Sequence, residues 1–178
     1  GGVMQLMRAG DPDTSREQYF DVITRKTAIL FAAACEGAAM LSGESDEVRQ
    51  RMQNLGLNLG IAFQLIDDVL DYEGDPETTG KNVGDDLSEG KPTLPLIHAM
   101  QHASPADAAI IATALRTKSA EHLNKIVALA FHTGGIAETR IAAKTHCDSV
   151  NEELKTLAPS AAKKSLETLA AFSLSRES

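Results

Sequence analysis

The sequence contains no tryptophan, and aromatic side chains make up only 4% of its 178 residues. A core must therefore be built from aliphatic side chains, and hydrophobic residues, at 43%, are numerous enough for one domain. The two cysteines, Cys35 and Cys147, form no CxxC pair. We expect both to be buried free thiols in a reducing compartment, which predicts a cytoplasmic location.

Basic residues are scarce as well. Lysine and arginine number 17 against 25 aspartates and glutamates, which gives a formal net charge of −8. Nucleic-acid-binding proteins carry a basic surface, so this balance argues against nucleic acid as a partner. No apolar run is long enough for a membrane-spanning helix, so the sequence predicts no membrane anchor. An acidic chain can still bind a phosphorylated ligand when a metal ion supplies the positive charge.

Apolar residues recur at helical spacing along most of the chain, and no strand-like alternation persists. Gly56 and Gly60, four residues apart, would let a neighbouring helix approach closely. The predicted helices cover residues 15–41, 47–71, 93–103, 105–116, 119–132, 136–157 and 159–174. The sequence therefore predicts an all-α fold, with a functional loop at about 73–92 inside one domain that spans 1–178.

Two helix starts carry specific signals. Thr14 or Ser15 is predicted to cap the first helix, and Glu17 or Gln18 would complete a capping box. Pro105 follows a serine and fits the first position of a helix, where its missing N–H has no cost.

Three carboxylates lie within five residues of an otherwise apolar helical stretch. Asp67 and Asp71 are one turn apart, and Asp68 lies beside Asp67. Gln64 precedes them by about one turn on the same side. Like charges one turn apart destabilise an isolated helix by roughly a few tenths of a kcal/mol, and a bound divalent cation would remove that repulsion. A solvated acidic face is the alternative interpretation.

Two lysines follow the acidic stretch in glycine-rich surroundings. Lys81 follows Gly80, and Lys91 lies between Gly90 and Pro92. Mg²⁺ commonly binds one or two carboxylates together with substrate phosphates. Carboxylates, glycines and lysines in this order therefore favour a magnesium–diphosphate site.

These segments together resemble the motifs of the trans-isoprenyl diphosphate synthases, most of all the long-chain bacterial members. The matching motifs are Val3-Met4-Gln5-Leu6, Lys26-Thr27, Phe63-Gln64-x-x-Asp67-Asp68-x-x-Asp71, Gly80-Lys81-x-x-Gly84-x-Asp86 and Gly90-Lys91-x-Thr93-x-Pro95. The resemblance implies an isoprenoid-synthase-type helical bundle and a homodimer. It also implies condensation of isopentenyl diphosphate with an allylic diphosphate into a long-chain all-trans polyprenyl diphosphate, a precursor of quinone side chains.

The resemblance assigns roles to the residues that would bind the substrate. Lys26 and Lys81 would contact the leaving diphosphate, with Lys91 nearby. Lysine suits this role because it carries a point charge on a long stem. Thr27 and Gln64 would place oxygen dipoles near the allylic cation.

The resemblance also implies that the family holds Mg²⁺ between two aspartate-rich motifs. Asp67 would be the principal ligand of the second motif, with Asp68 and Asp71 assisting. The first motif, and the Arg-Arg pair that follows it, have no match in this chain. We therefore expect the C-terminal half of a synthase domain, which does not complete the condensation alone. A non-catalytic partner subunit of a heteromeric synthase and a plain helical interaction module are the alternatives.

Overall fold

The chain folds into helices that begin and end close to the capping and turn signals of its sequence. The computed structural model describes residues 8–73 and 82–174, and the regular structure in these ranges is helical, without strands. The helices are α1 (Arg16–Ile23), a π-helix (Thr24–Ala28), α2 (Ile29–Leu41), α3 (Asp46–Glu73), α4 (Asp85–Ser88), α5 (Leu94–His102), α6 (Pro105–Thr117), α7 (Leu123–His132), α8 (Gly135–Thr156) and α9 (Ala161–Leu174). The predicted all-α fold is confirmed. The motif at Val3–Leu6 and the predicted site residue Lys81 lie outside the described ranges.

The predicted capping box at the first helix is confirmed, with Ser15 and Gln18 as its two members. The backbone N–H of Ser15 donates to Gln18 Oε1 at 2.9 Å, and the backbone N–H of Gln18 donates to Ser15 Oγ at 3.1 Å. Two backbone donors that the helix cannot satisfy are thereby satisfied by side chains. At α6, Ser104 Oγ accepts the backbone N–H of Asp107 at 3.2 Å, ahead of the predicted proline start.

Three local features differ from the sequence prediction. The first helix contains the π-helix Thr24–Ala28, where the N–H of Ile29 bonds to the carbonyl of Thr24, five residues earlier. The predicted helix 119–132 begins later, at Leu123, because residues 120–123 form a turn in which the N–H of Leu123 donates to the carbonyl of Ala120 at 3.1 Å. Within the predicted loop, residues 85–88 form the short helix α4.

The described chain divides into two compact units, each with its own apolar core. The aspartate unit comprises residues 8–22, 67–73 and 82–141, and the threonine unit comprises residues 23–66 and 142–174. The core of the aspartate unit includes Val69, Tyr72, Leu87, Leu96, Ile111, Leu115, Ile126 and Ile136. The core of the threonine unit includes Cys35, Met52, Leu55, Leu59, Val150, Leu157, Ala162 and Leu166. Full burial of one leucine contributes about 1.5–3 kcal/mol.

Helices in the threonine unit approach each other closely at the two glycines of α3. A Cβ atom on Gly56 would lie 2.5 Å from the carbonyl oxygen of Phe31, and one on Gly60 would lie 2.6 Å from Ala28 Cα. The predicted close approach is therefore confirmed. Cys35 and Cys147 are buried free thiols, as expected. Over the described ranges, no helix has both the length and the apolar character needed to cross a bilayer.

Candidate functional site

The three predicted metal-binding aspartates lie in the last two turns of α3, inside the aspartate unit. Asp68 and Asp71 are only 3% and 1% exposed, whereas Asp67 is partly exposed. The two buried residues are three positions apart and therefore share one side of the helix. A buried carboxylate is costly unless protein donors replace the water it has lost. The hydrogen-bond donors around Asp68 and Asp71 therefore determine how the two carboxylates are oriented.

Tyr19 supplies a donor to Asp68. Its hydroxyl donates a hydrogen bond to Asp68 Oδ2, and its side chain is 4% exposed. Burial, followed by the negative charge of Asp68, raises the pKa of Tyr19 well above its ordinary value of 10.0. The phenol therefore keeps its proton and remains a donor. Tyr19 and Asp68 are 49 positions apart, and no sequence signal links them.

Backbone donors from the following loop bind Asp71. The N–H of Asp86 donates to the Asp71 carboxylate, at 3.2 Å from Oδ2 and 3.4 Å from Oδ1. The N–H of Gly84 donates to the Asp71 backbone carbonyl at 2.9 Å. Gly84 is left-handed (φ 87°) immediately before α4, a conformation that glycine adopts without strain. The loop is thus fastened to α3 at Asp71.

The same loop carries the predicted substrate-binding residue Lys91. Its ammonium lies 3.6 Å from Asp86 Oδ1 and 3.0 Å from Glu89 Oε2. Partial burial lowers the pKa of Lys91, but the hydrogen bond to Glu89 and the charge of Asp86 outweigh it and raise the pKa overall. The Lys91 side chain is therefore a cation with a defined position. Asp86, a member of a motif named above, is 3% exposed, and this burial could not be predicted, because an acidic residue in a polar loop is ordinarily solvated.

Two buried hydroxyls lie next to this network. Tyr72 is 2% and Thr93 is 5% exposed, and neither hydroxyl has a hydrogen bond of normal geometry within residues 8–73 and 82–174. Thr93 is still close enough to act on the Tyr72 hydroxyl and lower its pKa. Burial and the charge of Asp71 act in the opposite direction and raise that pKa well above 10.0.

The threonine unit holds three other predicted site residues. Thr27 Oγ1 donates to Gln64 Oε1 at 3.1 Å, so these two predicted partners lie together. Thr27 and Lys26 lie in the π-helix, and the Lys26 side chain is exposed. A π-helix widens one turn and turns its side chains away from their α-helical directions, and such turns are frequent at functional sites. The sequence shows no period that reveals a single wide turn.

The carboxylate oxygens of the aspartate segment (residues 67–71) fit a magnesium ion that is bound by the phosphates of a ligand at the same time. In the part of the chain that the structure describes, no three His, Cys, Asp or Glu side chains form a group that could hold a metal ion alone. Mg²⁺ bound through one or two carboxylates, waters and substrate phosphates needs no such group. The partly exposed Asp67, with the buried Asp68 and Asp71 behind it, is suited to that kind of binding.

An all-α fold that carries an aspartate-rich helix end and a lysine-bearing loop is the arrangement that the resemblance to the helical isoprenyl diphosphate synthases implies. The Polyprenyl synthetase family model matches residues 1–130, and the chain belongs to this family. The family predicted from the motifs is confirmed.

Relatives of this chain include several long-chain synthases. It is 44% identical over 178 residues to octaprenyl diphosphate synthase of Escherichia coli K12, covering 99% of this chain and 55% of the relative. It is 38% identical over 176 residues to the geranyl-diphosphate-specific all-trans-nonaprenyl-diphosphate synthase of Rhodobacter capsulatus, covering 99% and 54%.

Solved structures show the same similarity. Polyprenyl synthase of Caulobacter crescentus CB15, complexed with calcium and isoprenyl diphosphate, matches with a TM-score of 0.88 and 38% identity, over 99% of this chain and 55% of that protein. Decaprenyl diphosphate synthase of Rhodobacter capsulatus matches with a TM-score of 0.87 and 34% identity, over 99% and 55%. The chain thus spans about half the length of the relatives it matches.

Proposed function

We propose that the chain forms part of a prenyltransferase that condenses isopentenyl diphosphate with an allylic diphosphate. The product would be a long-chain all-trans polyprenyl diphosphate, a quinone side-chain precursor. The octaprenyl and nonaprenyl products named for its relatives support a long chain. The observation that carries the proposal is the end of α3, where Asp68 and Asp71 are buried and hydrogen-bonded while Asp67 stays partly exposed.

Asp67, Asp68 and Asp71 would hold Mg²⁺ together with the diphosphate of the substrate. Bound Mg²⁺ would supply positive charge to the departing diphosphate. Asp67 is the most accessible of the three and would be the principal ligand. Asp68 and Asp71 are already hydrogen-bonded, so they would orient metal-bound waters or support Asp67. The calcium and isoprenyl diphosphate in the Caulobacter crescentus structure are consistent with such a site.

Lysines would neutralise the diphosphate as its charge grows. Lys91 is positioned by Asp86 and Glu89 and has a raised pKa, so it would present a fixed positive charge. Lys26 is exposed on the π-helix, and its role in binding the diphosphate rests on the family resemblance. The role of Lys81 rests on the family resemblance, since that residue lies outside the described ranges.

Thr27 and Gln64 would stabilise the allylic cation through their oxygen atoms. Their mutual hydrogen bond constrains the direction of both dipoles. Neutral oxygens suit this task because they lower the energy of a cation without attacking it as an anionic nucleophile would. These roles follow from the family resemblance and from the contact between the two side chains.

The proposed enzyme works in the cytoplasm as a homodimer. Helix α2 leaves apolar side chains uncovered, with Leu30 68% and Leu41 92% exposed. Uncovered apolar side chains grouped on one helix are typical of surfaces that bind another polypeptide. Analytical ultracentrifugation of the chain tests this, and a monomer at high concentration would contradict the homodimer.

Calorimetry tests the metal–diphosphate site. The chain is titrated with Mg²⁺ in the presence of inorganic pyrophosphate, and binding that requires both components is expected. Asp67→Asn should weaken it by at least about tenfold, because even indirect partners of a metal site are worth roughly 10–100-fold in affinity. Asp148→Asn is the matched control, since Asp148 is exposed and pairs with Lys144. Equal affinities for the two variants would contradict the proposed site.

A turnover assay tests whether this chain completes the condensation by itself. With farnesyl and isopentenyl diphosphates and Mg²⁺, the 178-residue chain is expected to bind the substrates and form no elongated product, because it has no first aspartate-rich motif. Substantial Mg²⁺-dependent elongation by the purified chain would contradict this expectation.

A further inference from the structure

The hydrogen bond between Tyr19 and Asp68 joins α1 to the end of α3. The Tyr19 hydroxyl donates to Asp68 Oδ2, and the two side chains are 4% and 3% exposed. A carboxylate so well removed from water depends on protein donors for its orientation. The phenol is one such donor, so the bond constrains the direction in which Asp68 points.

The phenol is itself held firmly. The capping box of Ser15 and Gln18 fixes the start of α1, so Tyr19 occupies the first turn in one register. Its ring also contacts Phe20 edge to face, with ring centroids 5.3 Å apart. A tyrosine side chain has only two rotatable torsions, and here it is buried on a capped helix. It therefore holds its hydroxyl in a fixed position, which a mobile donor on the surface would not do.

We propose that Tyr19 is a positioning residue for the metal–diphosphate site and acts through Asp68. This inference rests on the proposed function of the aspartate segment. The O–H of Tyr19 engages one oxygen of Asp68 and so presents the rest of the carboxylate in one orientation to metal-bound water. Hydrogen-bond partners of metal-binding side chains typically change metal affinity by roughly 10–100-fold when they are removed.

Tyr72 offers a matched comparison within the same unit. It is 2% exposed, and its hydroxyl has no hydrogen bond of normal geometry to any residue that the structure describes. Tyr19→Phe and Tyr72→Phe therefore delete the same atom from similarly buried positions. Only Tyr19→Phe removes a bond to a predicted metal-binding carboxylate.

The first measurement is the affinity for Mg²⁺ at a fixed concentration of inorganic pyrophosphate. We expect Tyr19→Phe to weaken Mg²⁺ binding by about tenfold or more, and Tyr72→Phe to change it by less than about twofold. Circular dichroism and unfolding midpoints of the metal-free variants separate a local effect from loss of structure. Equal affinities for the two folded variants would overturn the inference and leave the proposed function standing.

The second measurement needs no variant of Tyr19. Since the chain has no tryptophan and two tyrosines, Tyr19 is the only strong fluorophore in Tyr72→Phe. Mg²⁺ with pyrophosphate should change its emission, because a carboxylate that supports a cation becomes a weaker hydrogen-bond acceptor. Unchanged emission while calorimetry records binding would also overturn the inference. If the unaltered chain binds no Mg²⁺ with pyrophosphate, the proposed function and this inference both fail.

Discussion

Asp71 accepts the backbone N–H of Asp86, which lies 15 positions further along the chain. Both carboxylate oxygens lie within reach of that N–H, at 3.2 and 3.4 Å. The bond brings a negative charge to the start of α4, where an unsatisfied amide is available and an anion is favoured. Asp71 thus has a structural task in addition to the predicted metal role, because it accepts from the residue whose carboxylate pairs with Lys91.

Asp71→Ala should reduce the free energy of unfolding by about 1–3 kcal/mol, because it removes an acceptor from a buried backbone N–H. Urea denaturation measures the change. Asp85→Ala is the control, since Asp85 is less buried and its carboxylate accepts from Asn82 in the same loop at 3.3 Å. Its expected effect is within about 0.5 kcal/mol. Equal losses for the two variants would show that the bond to Asp86 is not what stabilises the loop.

Gly84→Ala should destabilise the chain by roughly 1–3 kcal/mol. Its φ is 87°, and an added Cβ would lie 2.4 Å from Leu123 Cδ1. Gly37→Ala provides the opposite case, since Gly37 is within α2 and an added Cβ would meet nothing within 4 Å beyond its chain neighbours and the adjacent helix backbone. That change should stabilise the chain by about 0.5–1 kcal/mol through helix propensity. Thermal unfolding of both variants tests the pair, and a neutral Gly84→Ala would contradict the close contact.

Lys91→Met should weaken the binding of Mg²⁺ with pyrophosphate by about tenfold, because a charge-assisted contact is worth about 1.5–3 kcal/mol. Methionine keeps much of the apolar stem and removes the charge. Lys155→Met is the control, since Lys155 is 73% exposed and pairs with the exposed Glu152. Calorimetry compares the two, and a Lys91 variant that binds as well as the control would remove Lys91 from the proposed site.

Alkaline pH should destabilise the chain through its two tyrosines. Both pKa values are raised above 10.0, mainly by burial and then by Asp68 for Tyr19 and Asp71 for Tyr72. Above pH 10.0 the unfolded state loses these protons while the folded state keeps them, so the contribution of the two tyrosines to stability is fully present below that pH and is lost above it.

Ultraviolet absorbance of tyrosinate, recorded beside circular dichroism, measures this effect. The chain contains no tryptophan, so the signal comes from the tyrosines with little overlap. Ionisation is expected to coincide with loss of helix. Two tyrosines that ionise near pH 10.0 in a chain that remains helical would contradict the burial of their hydroxyls.

Local signals made the helices predictable. The Ser15–Gln18 box, the proline at the start of α6 and the glycine spacing in α3 each involve residues close in sequence, and each was found as expected. The acidic segment was likewise visible, because one helix carries its three carboxylates. Their metal-binding roles, and those of Lys26, Lys81 and Lys91, stay predictions.

Contacts between distant residues could not be predicted. The donor to Asp68 comes from 49 positions away, and many polar residues could have supplied it. The burial of Asp86 depends on how the loop folds back on α3, which composition does not encode. The π-helix at Thr24–Ala28 changes one turn, which is too small a shift to alter the spacing of apolar residues.

The glycine at position 60 affects the hydrogen bond between Thr27 and Gln64. A threonine hydroxyl extends only one carbon from its Cα, so its hydrogen bond to Gln64 on another helix relies on the longer glutamine side chain and is favoured by close approach of the two helices. Gly60, with Ala28 Cα 2.6 Å from where a Cβ would be, makes that close approach possible. A methyl group at Gly60 would push the two helices apart and increase the distance between Thr27 Oγ1 and Gln64 Oε1. The missing side chain of Gly60 therefore favours the hydrogen bond between Thr27 and Gln64, one turn further along α3.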